Sequence, residues 1–419
     1  MSLSSAINSA VSALNAQSSA LAMVSNNLAN SSTVGYKNTT ASFSSILAGS
    51  MSSGSASGGV KVSAVQDVTA QGLLTSSSTS TNMAILGSGF FVVSPSAEGG
   101  EYVYTRNGEF SVDENGLLQS GGYYLQGWPT DADGNVVGGT TSTNLQTIDT
   151  DAIATIAQPT SMAGLIANLP ADADVGASFT SALEIYDSLG TAASTIITWT
   201  KTGENTWEAS FSDPTLSSNA SQTVGTVTSA AVAITFNSDG TLSTTNPSPP
   251  TLDVTWTTGG AASSITLDMG KAGTSSGLSQ YATGSESPTV TVQTSQDGVG
   301  FGSLISIAIG DDGTVYANYD NGMQRSIYKV PVATFANANG LEAQSGGVYA
   351  ETSKSGTCTL NISGTNGAGS VYGSQLELST TDTNQEFARM MAAQQAYSGA
   401  AQVMTAAKDM YDTLMSAVR

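Results

Sequence analysis

The chain has 419 residues and carries 11 Lys+Arg against 32 Asp+Glu, a net charge of -21. That balance argues against nucleic acid and anionic membrane surfaces as partners. It has no histidine and one cysteine, Cys358, which removes histidine-based catalysis and metal binding and leaves no internal disulfide. Charged residues make up only 10%, while Gly, Ser and Thr are abundant, a texture associated with β-rich bacterial surface proteins.

The first stretch of the chain is periodic. Leu3, Ile7, Ala10, Leu14, Gln17, Leu21, Val24 and Leu28 follow one another at alternating steps of four and three. This a/d stripe predicts a helix over 1–30 that packs lengthwise against other helices. The far end answers it: Phe387, Met390, Gln394, Tyr397, Ala401, Met404, Lys408, Tyr411, Met415 and Val418 continue the same alternation, with Leu414 beside them. Burial of so few large side chains does not outweigh the entropy of ordering either helix. The two ends therefore need partners, each other first. No Asp, Glu, Lys or Arg precedes Lys37, so the off-stripe face can approach another surface without desolvating a charge. A helix touched on several sides by other subunits fits that face.

Asn26, Asn27, Asn30, Ser31, Ser32 and Gly35 close the first helix. Residues 44–59 are Gly/Ser-rich and read as a flexible linker, and 60–81 read as extended. From 82 to 149 the texture is β, with strands near 89–93, 102–105, 109–112, 117–119 and 123–126 and a hairpin turn at Asp113-Glu114-Asn115-Gly116. Residues 140–180 are less regular. A second β block, 150–296, has strand pairs at 195–200 with 206–211 and at 252–256 with 265–269, broken by Pro247, Pro249 and Pro250. A meander follows over 297–352, then a Gly/Ser-rich linker over 353–381, then the terminal helix over 382–419. The chain thus reads as an α+β multidomain protein. Its N- and C-terminal helices pair as a coiled-coil core, and all-β domains are nested between them, the 150–296 block inserted into its flanks. Residues 31–81 and 353–381 connect the two layers. No apolar run is long enough for a membrane-spanning helix. The N-terminus lacks the basic and apolar regions of a cleaved secretory signal, so export without cleavage is expected.

The sequence holds no complete catalytic or ligand-binding constellation. Gly273-Thr274-Ser275-Ser276-Gly277 matches G-x-S-x-G, but it has no histidine to activate Ser275 and lies in a Gly/Ser-rich loop. Asp131-Ala132-Asp133-Gly134-Asn135 opens like a calcium loop, yet Val136 and Ser142 stand where a glycine and a bidentate carboxylate are required. A hairpin turn is the better reading. Gly87-Ser88-Gly89 belongs to no complete phosphate-binding fingerprint. No catalytic, metal or cofactor residues are assigned.

Several motifs then carry a resemblance. Residues 26–37 (NNLANSSTVGYK), 82–93 (NMAILGSGFFVV), 104–118 (YTRNGEFSVDENGLL) and 376–414 (LELSTTDTNQEFARMMAAQQAYSGAAQVMTAAKDMYDTL) resemble the flagellar rod/hook axial family. Residues 309–315 (IGDDGTV) and 332–341 (VATFANANGL) resemble its hook branch. Together they span about a third of the chain, in the order the family has them. Gln395 departs from the Arg common in rod relatives, and Gly399-Ala400 replaces Ala-Asn; neither lies on the stripe.

The resemblance implies an extracellular helical tube of identical subunits, exported by the flagellar type III apparatus. It implies terminal helices lining the inner tube and β domains outside, with no nucleic acid and no membrane insertion. The subunit would form the hook, the flexible joint that passes motor torque to the filament. Its neighbours would be the distal rod, the hook cap and the hook–filament junction proteins. The inserted block at 150–296 favours hook over the shorter distal rod subunits. Heptad stripes at both ends disfavour the other reading, a secreted β-rich adhesin. The stripe residues, Lys408 apart, are then the expected subunit interface.

Overall fold

In a computed structural model, which describes residues 3–48, 56–153, 155–285 and 288–417, both ends of the chain are helices and the long middle is strand and turn. Helix α1 spans Leu3–Ala29 and helix α2 spans Thr383–Ala417. Local chemistry sets their inner ends. Asn30 closes α1, its backbone N–H donating to the Asn26 carbonyl at 3.1 Å and its side chain donating there at 2.9 Å. Asp382 opens α2: its carboxylate accepts from the backbone N–H groups of Asn384 (2.9 Å) and Gln385 (3.3 Å), which have no helical partner of their own.

Strands β1 (Thr39–Ala48) and β2 (Ala56–Gln66) form an antiparallel hairpin beside α1, with Phe43 opposite Val62. This corrects the linker reading of 44–59: residues 44–48 and 56–59 are strand, while 49–55 lie outside the described residues. The Val60 N–H donates to Ser12 Oγ at 3.2 Å, and Gly59, at φ +115°, allows the approach. A Cβ on Gly59 would lie 2.3 Å from that hydroxyl oxygen. Composition alone misses a strand that a helix holds in place.

The chain divides into two compact units. The first comprises Met1–Ala152, Ile307–Ala317 and Arg325–Arg419. Its β body is organised on Phe90–Ser94, buried at every residue and paired with Val103–Thr105, Tyr123–Pro129 and Val332–Thr334. Phe90, Val92, Tyr104, Trp128 and Tyr349 share its core. The late segment expected as a linker over 353–381 is woven into this unit. Thr359–Asn361 pairs with Val332–Thr334, Ser370–Gly373 with Met83–Leu86, and Gln375–Glu377 with Leu74–Ser76.

The second unit comprises Ile153–Ser306 and Asn318–Gln324. One of its sheets has Met162–Asn168 between Ser263–Asp268 and Val292–Gln296. Another has Ala192–Gly203 between Ser178–Tyr186 and Thr206–Phe211. Alternate residues of Ala192–Gly203 point inward, so Ile197 and Trp199 join Leu165, Leu183, Trp207 and Ile265 in one apolar core. Met162–Asn168 and Ser178–Tyr186 are regular strands in a stretch whose small residues obscured the alternation.

Candidate assembly interface

The two helices run antiparallel. The Asn27 Nδ2 at the end of α1 donates to Glu386 Oε2 in the first turn of α2 at 3.2 Å, and Ala20 lines a groove shared with Ala393 and Ala396 farther along. The seam is made of small side chains. Ala20, Val24 and Asn27 of α1 are buried there beside Glu386 and Ala393 of α2; Ala10 and Ala16 are also buried on α1, which the hairpin covers as well, and on α2 Ala407 is buried and Ala400 half-buried. Glu386, Ala393, Ala400 and Ala407 recur every seven residues, a heptad in its own right.

This seam is displaced by about one residue from the stripes read in the sequence. Of those stripes, only Ala10 and Val24 are buried. Ile7, Leu14, Gln17, Leu21, Leu28, Met390, Ala401 and Met404 are half-buried, while Phe387, Gln394, Tyr397, Tyr411, Leu414 and Met415 are exposed. Leu3 belongs to α1 without a described side chain, and Val418 lies outside the described residues. The reason is steric: alanines let two backbones approach closely, so they take the seam and the larger side chains flank it. Large apolar residues, nearly all of them on α2, therefore remain uncovered by the chain itself.

Asn27 ties the helix pair to the hairpin. Its Nδ2 also donates to the Thr39 carbonyl (2.8 Å), and its Oδ1 accepts from the Thr39 N–H (2.9 Å) and the Tyr36 hydroxyl (3.1 Å). Glu386, buried beside it, accepts from Arg389 Nη1 at 2.6 Å. Above this cluster α1, β1 and α2 enclose a groove of 430 Å³.

A second cluster lies where the helices meet the β body. Lys37 Nζ donates to Glu377 Oε1 and to the Ala70 carbonyl, both at 2.5 Å. Arg106 donates to Glu377 Oε2 at 3.1 Å and to the carbonyls of Ile85 (3.2 Å) and Gly87 (2.6 Å), with its guanidinium 5.4 Å from the Phe90 ring centroid. All three charged side chains are buried. Burial pulls the Lys37 ammonium and the Arg106 guanidinium below their ordinary pKa values, and the Glu377 carboxylate opposes that in both. Gly35, at φ +68°, passes so close that a Cβ would lie 2.7 Å from the Arg106 backbone. Lys37, Arg106 and Glu377 each belong to a different family-like motif, and sequence reading joined none of them. The available signal was Lys37, the first charged residue of the chain, eight residues after the end of a helix free of charge.

Comparison with known proteins follows the same division. Residues 7–37 match the flagella basal body rod protein family and 373–417 the C-terminal family of flagellar basal body rod FlgEFG proteins. Residues 84–162 match the flagellar hook protein FlgE/F/G D1 domain, and 154–299 the flagellar basal body protein FlaE D2 domain. Paired terminal helices around such β domains define the class: a structural component of the flagellar axis.

The flagellar hook protein FlgE of Rhizobium meliloti (strain 1021) is 31% identical over 430 residues, spanning all of both chains. That of Brucella suis biovar 1 (strain 1330) is 30% identical over 432 residues, also end to end. That of Salmonella typhimurium (strain LT2) is 31% identical over 420 residues, covering 97% of this chain and 98% of the relative. The chain belongs to the flagellar hook protein family, and its function is that of a structural subunit of the hook. A solved structure, the Helicobacter pylori flagellar hook protein FlgE2, aligns over 72% of this chain at 14% identity with a TM-score of 0.49, too low to bear on the arrangement described.

Proposed function

We propose that copies of this chain assemble into an extracellular helical tube that contains the export channel and transmits motor torque from rod to filament. The subunit works by assembly rather than catalysis. It is exported by the flagellar type III apparatus without signal cleavage and meets the distal rod, the hook cap and the hook–filament junction proteins at the ends of the tube. The terminal helices line the tube and the stripe residues form its subunit interface. The block at 150–296 is an insertion in the chain of the flanking β domain, whose residues both precede and follow it.

One observation carries this reading. Helices α1 and α2 pair through alanines and leave Phe387, Tyr411, Leu414 and Met415 exposed, a surface that a chain working alone would be expected to cover. The test is removal of 1–30 and 382–419 from the purified protein. The trimmed β body should stay soluble and monomeric by light scattering and form no tubes under the electron microscope. Tubes grown from the trimmed protein would assign assembly to the β domains and overturn the proposal.

A further inference from the structure

From the methionines of α2 we infer an oxidation-sensitive surface: hydrogen peroxide converts the thioethers of Met391, Met410 and Met415 to sulfoxides in the free chain, and a chain so modified is kept out of the tube. The inference rests on the tube reading and adds a chemical modification to it.

Methionine is concentrated on this helix. Five of the chain's twelve, Met390, Met391, Met404, Met410 and Met415, fall within the 35 residues of α2. Their spacing sets them around the alanine seam. Met390 and Met404 stand four residues beyond Glu386 and Ala400, and Met410 stands three beyond Ala407, so they project to opposite flanks of it. Met415 extends the first flank, and Met391 lies farther round the helix.

Exposure selects the reactive sites. Met410 is 63% exposed, Met391 59% and Met415 56%, whereas Met83 and Met269 are buried. A thioether has no proton to lose, so access of the oxidant decides its rate. The step is a two-electron oxidation. A sulfur lone pair takes one oxygen of the peroxide, the O–O bond breaks, and the other oxygen leaves as water.

The product is unlike its parent. Methionine packs as a flexible apolar side chain, while the sulfoxide is polar and chiral. Burying it against an apolar neighbour removes water from an S=O group that finds no donor there. The uncovered face of α2 is apolar, with Phe387, Val403 and Leu414 exposed among the methionines. Each sulfoxide that assembly must bury should therefore disfavour incorporation about tenfold or more.

The experiment uses the full-length chain, purified and unassembled. A brief exposure to hydrogen peroxide is stopped when about half of the exposed methionines are oxidised. The mixture is then assembled, and tubes are sedimented away from free chain. Peptide mass spectrometry measures the sulfoxide at each methionine in both fractions. Met162, 53% exposed in the second unit, is the internal reference for an accessible thioether away from α2. Sulfoxide at Met391, Met410 and Met415 should be about tenfold scarcer in tubes than in free chain, while that at Met162 divides evenly. Even partition at all three α2 sites would overturn the inference and leave the tube reading standing. Exclusion of the Met162 sulfoxide as strong as theirs would mark general damage and overturn it too, as would oxidation of Met83 and Met269 ahead of the α2 sites. Absence of tubes from the untreated chain would remove the tube reading itself, and this inference with it.

Discussion

Lys37 and Glu377 meet as a fully buried ion pair although 340 residues separate them in the chain, and Arg106 completes the cluster from the β body. One residue follows the N-terminal helix and the other precedes the C-terminal helix, so the pair fastens both helices to the domain between them. A buried pair is costly to break because the survivor is left charged and dry.

Glu377→Gln should accordingly strand two buried cations and lower stability by about 3–5 kcal/mol, read as a fall in the urea midpoint of the first unit. Replacing all three charges by apolar residues should also destabilise, since the carbonyls of Ala70 and Gly87 would lose their donors, while that of Ile85 keeps Gln71 Nε2. If the triple variant matched the parent in midpoint, those carbonyl bonds would be shown to contribute nothing.

Asn27→Ala removes the common partner of Thr39, Tyr36 and Glu386. A loss of about 1–3 kcal/mol is expected for each buried group left unpaired, tempered where water can enter. Amide exchange should accelerate first at Thr39 and in the opening turn of α2. Asn27→Asp keeps the acceptor but faces a carboxylate toward Glu386, so its destabilisation should shrink as pH falls toward 4, the ordinary carboxyl range. Equal destabilisation at neutral and acid pH would count against that electrostatic account.

Acid should unfold the second unit through Asp187 and Asp297. Burial alone would raise the Asp187 carboxyl, but the Thr258 hydroxyl at 2.6 Å and the Thr191 and Leu189 amides hold it below 3.8. At Asp297 burial likewise acts upward, and Ser161 and Met162 prevail over it. Folded values below the unfolded one mean that the unfolded chain binds more protons as pH drops. Stability from these groups is present above 3.8 and is lost as pH falls through the folded values. Tryptophan fluorescence reports it, because Trp199, Trp207 and Trp256 lie in this unit's core. Asp187→Asn should flatten the acid limb, and an unchanged limb would remove Asp187 from the account.

Cys358 should alkylate slowly. Burial pushes its thiol up to about 11 from an ordinary 9.0, against a hydrogen bond with Tyr104 that acts the other way. At pH 8 the folded chain therefore holds about a hundredfold less thiolate than the unfolded one, and iodoacetamide should react slower by a comparable factor. The folded rate should keep climbing to about pH 11, whereas the unfolded rate levels off near 9. A folded rate that levels off near 9 would contradict the assignment.

The sequence by itself determined the helical ends, their need for partners and the β character of everything between. The step of three and four from Leu3 to Leu28, the uncharged opposite face and the turn residues Asp113–Gly116 are local patterns, and helices and hairpins obey local rules. It also revealed the family, because the motifs at 26–37, 104–118 and 376–414 are contiguous. The tertiary structure alone decided which face of each helix forms the seam. Counting large apolar residues places it at Leu14, Leu21 and Tyr397, while close approach of two backbones selects Ala16, Ala20 and Ala393. It alone made strand of 44–48 and 56–59, where α1 supplies the surface that Gly/Ser-rich composition conceals. Lys37, Arg106 and Glu377 were each visible as a lone charge within a motif. That they neutralise one another in a dry interior depends on contacts 271 and 340 residues apart, and no local period encodes such a distance.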